Sequence, residues 1–426
     1  MLLGVDVGTT GTKAVLLTPE GKILHTSYQS YPLISPRPSC VEQDPTCWWR
    51  AVVDTVRDCV RHMPMGQNVA SMSLSVQSGT LVPVDCDMQP VGNAISWLDT
   101  RAGKECAEFI GQNGEQFYYQ KTGWRLSNCY NFIQIVHMKN QEPEKFKRVK
   151  YFLTVADYLN YQLTGRIVTD ENSIGNSQLC SVETGTWDET ILQLAGINRE
   201  MLAETVPTGT QIGHLTNAAA EELSLNTNVM VVAGAQDQYC SAISVGAFHA
   251  GDIMFSTGTS WVLLGIADRI VYDVNNYLTV GRHIIPKLYS GFAYTPAGGA
   301  AMKWYRDNMG KMTASASVES FDQITARAAN VLPGANGLFF FPHFAGTLFP
   351  TWHPEAKGVL WGLDFIHNQD HIARAIMEGI AFELLWMTEA MQRAGYEFHL
   401  MRCLGGSTRS DVWMQIVCDM TGLRMV

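Results

Sequence analysis

The sequence predicts an α/β fold in which one plan is used twice. Strand-like apolar runs alternate with segments whose apolar residues recur at helical spacing. The chain opens on a strand, a turn rich in Gly and Thr, and a second strand, Leu2 to Leu17. Near residue 245 the pattern restarts, with strand, Gly/Thr/Ser turn and strand from Asp252 to Gly265. At 426 residues the chain is too long for one ordinary domain. The repeated hairpin divides it into a first half, 1–244, and a second, 245–426.

The elements follow in order. After the opening hairpin, Lys22 to Tyr31 reads as a third strand. Asp44-Pro45 is a helix start, an N-cap followed by Pro, and Trp48, Trp49, Val52, Val53, Val56 and Val60 keep helical spacing through His62. Val69 to Val76 and Thr80 to Val84 read as strands, Ala94 to Trp97 as a short extended piece, and Arg101 to Ile110 as a helix. Helices are expected at Tyr130 to Lys139 and Val155 to Leu163, with a strand at Tyr151 to Leu153. The region from Thr164 to Gln211 mixes short elements. Leu215 to Leu223 reads as a helix and Asn228 to Ala233 as a buried strand. Gly234-Ala235-Gln236 then reads as a turn before a helix at Tyr239 to Val245. In the second half, helices are expected at Ala300 to Asn308, Ser317 to Ala329, His371 to Ala394 and Ser410 to Met420. Strands at Gly337 to Phe341 and His399 to Leu404 lie between them. Trp48, Trp49, Trp361 and Trp386 read as core.

Composition excludes several classes. Apolar residues make up 46% and charged residues 16%, which describes a globular chain with ample core. A net charge of −10 argues against nucleic acid as the main partner. An anionic ligand must then be held by local dipoles and backbone N–H groups. The ten cysteines show no CxxC and no zinc spacing, and read as buried thiols of a reducing cytoplasm. No apolar run reaches membrane-spanning length, so a cytoplasmic protein with no membrane partner is expected.

Four glycine turns carry the candidate chemistry. In the first, Gly8 to Lys13, Gly and Thr can aim successive donors into one concavity that suits a phosphate. Asp6 enters the same turn, where a carboxylate can hold hydrated Mg²⁺. On its own this stretch reads equally well as a plain hairpin. The others are Ser256-Thr257-Gly258-Thr259, Pro296 to Ala300, and Leu404-Gly405-Gly406-Ser407. Spread over both halves, they suggest one nucleotide cradled between two domains. Asp237, after a strand and at the entry to a helix, is placed to meet a substrate; taken alone it reads first as a helix cap, a role that does not exclude the other. Gln77, Ser78 and Trp97 suit a polyhydroxylated ligand through ring stacking and amide hydrogen bonds. Asp99 and Arg101 either join them or form an ion pair that holds the loop shut.

Taken together, these residues resemble the FGGY carbohydrate kinases, most nearly their xylulokinase-like branch. The resemblance spans nearly the whole chain. It rests on GVDVGTTGTK at 4–13, WLDTR at 97–101, GAQDQ at 234–238, STGTS at 256–260, PAGGAAMKW at 296–304, PEAKGVLWGL at 354–363 and LGGSTRSDVWMQI at 404–416. It implies an actin-like ATPase fold, two ribonuclease-H-like domains with an interdomain cleft that closes on ATP. It also implies ATP and Mg²⁺ as cofactors and phosphorylation of a ketose, sugar acid or alditol. By the same resemblance, Asp237 matches the general base and Asp6 the carboxylate near Mg²⁺. Gly8, Thr9, Thr10 and Lys13 match the first phosphate loop, and Gly258 and Thr259 the second. Gly299 matches the turn beside the nucleotide, and Gly405 and Gly406 the adenosine pocket. Gln77, Ser78, Trp97 and Gln238 fall where the family touches sugar.

The chain departs from that pattern twice. Ser78-Gly79 stands where xylulokinases carry Met-His, which removes a hydrogen-bonding contact to sugar and opens space. Family members also continue with a further strand and helix after the adenosine motif, which the second domain here is expected to lack. The rival readings are an actin-like or chaperone-type ATPase and an inactive nucleotide-binding regulator. A homodimer is left open.

Overall fold

A computed structural model describes residues 1–275, 277–310 and 319–426. The chain forms two compact units, Met1–Cys240 and Ser241–Val426.

The first unit begins with strands β1 (Leu2–Val7), β2 (Gly11–Leu17) and β3 (Ile23–Ser30), followed by helix α1 (Pro45–Arg61) and β4 (Ser71–Val76). Further along come helix α2 (Asn131–Gln141), β5 (Val168–Asp170), β6 (Gln211–His214), β7 (Met230–Gln236) and helix α3 (Asp237–Ser244). The main sheet has the order β6-β7-β4-β1-β2-β3. The hairpin β1–β2 is antiparallel, whereas β4 runs parallel to both β1 and β7. The carboxyl ends of β1, β4 and β7 therefore share one edge, which sets Val7, Val76 and Gln236 side by side. The buried rows Leu3, Val5 and Val7 and Met72, Leu74 and Val76 pack with Trp48, Val52 and Val56 of α1. Full burial of each such side chain is worth about 1.5–3 kcal/mol. The Asp44 side chain caps α1 by accepting from Thr46 N at 2.9 Å, with Pro45 in the first turn.

The second unit repeats the plan with β8 (Asp252–Thr257), β9 (Trp261–Ala267), β10 (Thr279–Arg282) and β11 (Tyr289–Thr295). It adds helices α4 (Gly298–Met309) and α5 (Phe321–Ala328), the small hairpin β12 (Phe339–Phe341) and β13 (Val359–Trp361), helix α6 (Gln369–Ala394), β14 (Leu400–Leu404) and helix α7 (Asp411–Thr421). Its sheet runs β10-β11-β9-β8-β14, with β8–β9 antiparallel and β8–β14 parallel. Phe255, Trp261, Leu263, Ile376, Ile380 and Trp413 form its core.

Four expectations need correction. Gly234-Ala235-Gln236 is not a turn: β7 continues through it, with a register shift against β4 between Val232 and Ala235. A Cβ on Gly234 would lie 1.7 Å from the Leu74 carbonyl oxygen, so this glycine marks close strand packing. Trp361 is 62% exposed, because it lies on a two-stranded hairpin where it meets Phe339. The cysteines are all free, yet Cys86 is exposed, whereas Cys40, Cys59, Cys106 and Cys180 are buried. The expected helix from Ser317 begins at Phe321, and positions 317–318 lie outside the described residues. Among the described residues no helix is long and apolar enough to cross a membrane.

Candidate functional site

In the first unit the candidate residues gather at the carboxyl edge of the sheet. β1 ends in the turn Gly8-Thr9-Thr10, closed by Gly8 N donating to Gly11 O at 3.0 Å. The Tyr31 hydroxyl donates to Gly8 O at 2.6 Å. Thr9 is the node of this turn. Its hydroxyl accepts from the Trp97 indole at 3.0 Å, and its carbonyl accepts from Gln43 Nε2 at 2.8 Å. Gln43 Oε1 in turn accepts from Gln77 Nε2 at 2.9 Å, while Gln77 N donates to Val7 O at 2.9 Å. Of the sugar-facing candidates, Trp97 is thus tied directly to the first glycine turn and Gln77 is tied to it through Gln43. Thr10 and Lys13 lie exposed on its outer side.

Two carboxylates face this edge. Asp6, paired across the sheet with Ser75, accepts from the Ser75 hydroxyl at 2.7 Å. Desolvation nonetheless raises its pKa against that bond and the Lys13 charge. Asp237 opens α3 as its first residue, straight after β7. Burial, and then the nearby Asp6 charge, push its pKa up to about 7 against hydrogen bonds from Gln238. A half-buried acid poised near neutrality is the arrangement that general-base chemistry uses. The Gln238 side chain keeps its Oε1 buried without a partner.

Several residues of this site were not singled out from the sequence. Asn172 Oδ1 accepts from Gln236 N at 3.2 Å, which holds the backbone just ahead of Asp237. Asn172 is itself held by Asp170, whose carboxylate accepts from Asn172 N at 3.0 Å and Ser173 N at 2.7 Å. Burial pushes Asp170 up to about 6. Asn176 bonds the Ser78 hydroxyl through Nδ2. Only the Asn-rich run after β5 could have signalled these, since Asn favours tight turns. By contrast, Arg101 forks onto Asp99 and Glu42, each at 2.7 Å, and Asp99 also accepts from Val41 N. That pair closes the loop.

In the second unit one cavity of about 460 Å³ gathers Gly258, Thr259, Gly299 and Gly406 with Lys303, Phe321 and Trp413. Gly405, at φ 106°, sits beside Thr257, where a Cβ would come within 2.8 Å of Thr257 Oγ1. Gly299 N donates to Gly258 O at 3.1 Å, and a Cβ there would lie 2.4 Å from that oxygen. Only glycine allows so close an approach. These glycines therefore let the backbone around the cavity pack closely without side chains filling it. A second groove, of about 510 Å³, is apolar and lined by Phe340, His343, Phe382, Glu383 and Trp386, none of them on these turns.

Comparison with known proteins identifies the family. Residues 1–244 match the N-terminal domain, and residues 253–426 the C-terminal domain, of the FGGY family of carbohydrate kinases. The xylulose kinase of Bacillus subtilis is 28% identical over 426 residues, covering 100% of this chain and 84% of that protein. The gluconokinase of the same organism is 27% identical over 430 residues, covering 98% and 82%. The crystal structure of ligand-bound xylulose kinase from Lactobacillus acidophilus superposes with a TM-score of 0.93 at 25% identity, covering 100% of this chain and 85% of that one. The fold is that of the actin-like ATPases, and the chain belongs to the FGGY family of carbohydrate kinases.

Proposed function

We propose that this chain transfers a phosphoryl group from ATP to a hydroxyl of a sugar or polyol, with Asp237 as general base. The observation that carries the reading is Asp237 itself, pushed up to about 7 by burial and Asp6, at the carboxyl edge of the sheet beside the first glycine turn. At that value it can take the proton of an acceptor hydroxyl near neutral pH, a contribution of about 10²–10⁴-fold. Gly8, Thr9, Thr10 and Lys13 in the first unit, and Gly258 and Thr259 in the second, are the phosphate-binding turns of this reading. Gly299, Gly405 and Gly406 shape the nucleotide pocket of the second unit. Asp6 is the residue that would hold Mg²⁺, an ion that supplies charge neutralisation to phosphoryl groups.

The acceptor lies against Gln77, Ser78, Trp97 and Gln238 in this reading. Gln77 and Trp97 hang from the Thr9 turn, so a bound acceptor and a bound phosphate are positioned by one hydrogen-bonded unit. Such positioning supplies most of the catalysis in phosphoryl transfer. A coupled ADP-release screen over pentuloses, hexuloses, alditols and aldonates tests the reading. Stimulation of ADP release by at least one of them is expected. ATP turnover indifferent to all of them would return the chain to the class of ATPases.

A further inference from the structure

The edge strand β3 and helix α1 bring together three side chains that the kinase reading does not use. His25 lies on β3, Asp58 in the last turn of α1, and His62 caps that helix one turn further on. Residues four apart share a helix face, so Asp58 and His62 both meet the strand. His25 Nε2 and Asp58 Oδ2 lie 2.9 Å apart, and His62 Nδ1 is 2.9 Å from the Asp58 carbonyl oxygen. The two imidazole rings stack, with centroids 3.7 Å apart and planes 9° from parallel. One ligand atom from each of the three lies within 4.8 Å of the other two, and among the described residues no other group of His, Cys, Asp or Glu does so. A carbonyl oxygen only accepts, so in the neutral ring His62 Nδ1 carries the proton and Nε2 keeps its lone pair. Metal-binding histidines are held in that way, with one ring N–H on a carbonyl and the other nitrogen on the ion.

We propose that His25, Asp58 and His62 bind one Zn²⁺, with water as the fourth ligand. Two imidazoles and a carboxylate suit this ion, whereas Mg²⁺ prefers an all-oxygen shell. Bonds of about 2.0–2.2 Å in a tetrahedron set ligand atoms about 3.3–3.5 Å apart, so side-chain shifts of about 1–1.5 Å complete the site. His62, with 53% of its side chain exposed, has room for that shift. The ion displaces the proton shared by His25 and Asp58, which leaves to solvent. This place is separate from the phosphate edge. His25 pairs with Leu16, and Leu16 with Leu3, whereas Asp6 lies three residues further along β1. The offset is about 10 Å along the strands and about 10 Å across them. β3 ends the sheet order and is held by β2 on one side, so an ion bridging it to α1 would secure an edge strand.

The test titrates the whole chain, stripped with a chelator and dialysed, with ZnCl₂ alone in a calorimeter. One site with a Kd of about 10 μM or tighter is expected. The thermal midpoint should rise by about 2 °C or more at saturating Zn²⁺, and equal Mg²⁺ should neither raise it nor compete. His25→Gln, Asp58→Asn and His62→Gln should each weaken Zn²⁺ binding by at least about tenfold. None of the three should change ADP release with Mg-ATP, because none touches the glycine turns. Cys86→Ser, which removes the exposed thiol, should bind Zn²⁺ as the parent does. Absence of a site in this range overturns the proposal, and leaves His25 and Asp58 as a surface ion pair only. So does an unchanged affinity in both histidine variants, or a site lost in Cys86→Ser instead. If His25→Gln fails to fold, the exposed His62→Gln decides alone. Binding and unfolding are read without turnover, so failure of the kinase reading leaves this outcome intact.

Discussion

The two glycine hairpins share a plan but are secured differently. The turn between β1 and β2 is held by side chains that arrive from elsewhere: Tyr31 on Gly8, and Gln43 and Trp97 on Thr9. The turn between β8 and β9 is held by backbone, with Gly299 N on Gly258 O and Ala300 N on Thr259 O, and by short hydroxyls at its ends, Thr257 onto Leu404 O and Ser407 onto Thr257 O. Side-chain ties can carry chemistry and choose among ligands. Backbone ties leave a smooth surface that a large ligand can approach. On the proposed reading, selectivity and proton transfer reside in the first unit, and nucleotide shape recognition in the second.

The largest expected effect breaks the first unit's chemistry. Asp237→Asn keeps the size and the start of α3 but cannot accept the proton. It should lower kcat by about 10²–10⁴-fold, with KM for ATP and acceptor nearly unchanged. Steady-state kinetics with the acceptor found in the screen would check it, and near-normal turnover would sink the assignment. Next comes Gly299→Ala, which attacks the second unit through backbone alone. The new Cβ would meet Gly258 O, an atom that cannot swing aside. A loss of about 1–3 kcal/mol in stability and of at least about tenfold in nucleotide affinity is expected. Thermal unfolding and nucleotide titration separate the two losses. A fully active variant would show that the second turn is less tightly built than its geometry says.

Legibility followed the same division. The hairpins, α1 and α6 could be read because apolar spacing and capping residues are local signals, as with Asp44-Pro45 ahead of Trp48. Asp237 was singled out by its place after a strand. Its raised pKa was not, because the burial that chiefly causes it, and the Asp6 charge that adds to it, arise only in the folded sheet. The Gln43 and Asn172 bonds were hidden for the same reason: each joins loops whose proximity the sheet order alone decides. Gly234 misled because a glycine inside a strand and a glycine in a turn look alike until packing is seen. Trp361 misled because aromatic character does not tell a core strand from an exposed hairpin.

A smaller effect is expected at Asn172, which sharpens the claim that the first unit relies on side-chain positioning. Asn172→Ala removes the acceptor on Gln236 N while leaving Asp237 in place. Loss of one such bond, with its donor left unpaired, is worth about 1–3 kcal/mol. A fall of about tenfold in kcat with little change in KM for ATP is expected, since only alignment of the base is disturbed. Asn172→Asp keeps an acceptor and should recover part of the loss. If both variants lower KM and kcat alike, or neither changes, Asn172 merely supports its loop.

The smallest effect is a pH dependence that distinguishes the units. Asp170 at about 6, Asp237 at about 7 and Glu383 of the second unit at about 7 all lie above their usual values, each chiefly through burial. Such a group keeps its proton in the folded state after the unfolded chain has lost it. The folded state then binds more protons, and stability falls as pH rises from about 4 to about 7. His283, which burial lowers to about 4, works in the opposite sense between about 4 and 6.5. Asp237→Asn should remove part of the decline, on the order of 1 kcal/mol at pH 8 once solvent screening of a half-buried group is allowed for. Glu383→Gln should also stabilise at pH 8. Only the first of these changes should abolish the rise of kcat/KM with pH near 7, because Glu383 lies in the apolar groove away from the glycine turns. Urea titrations and initial rates from pH 5 to 8.5 read both quantities. If Glu383→Gln flattened the rate profile as well, proton transfer would not be confined to the first unit.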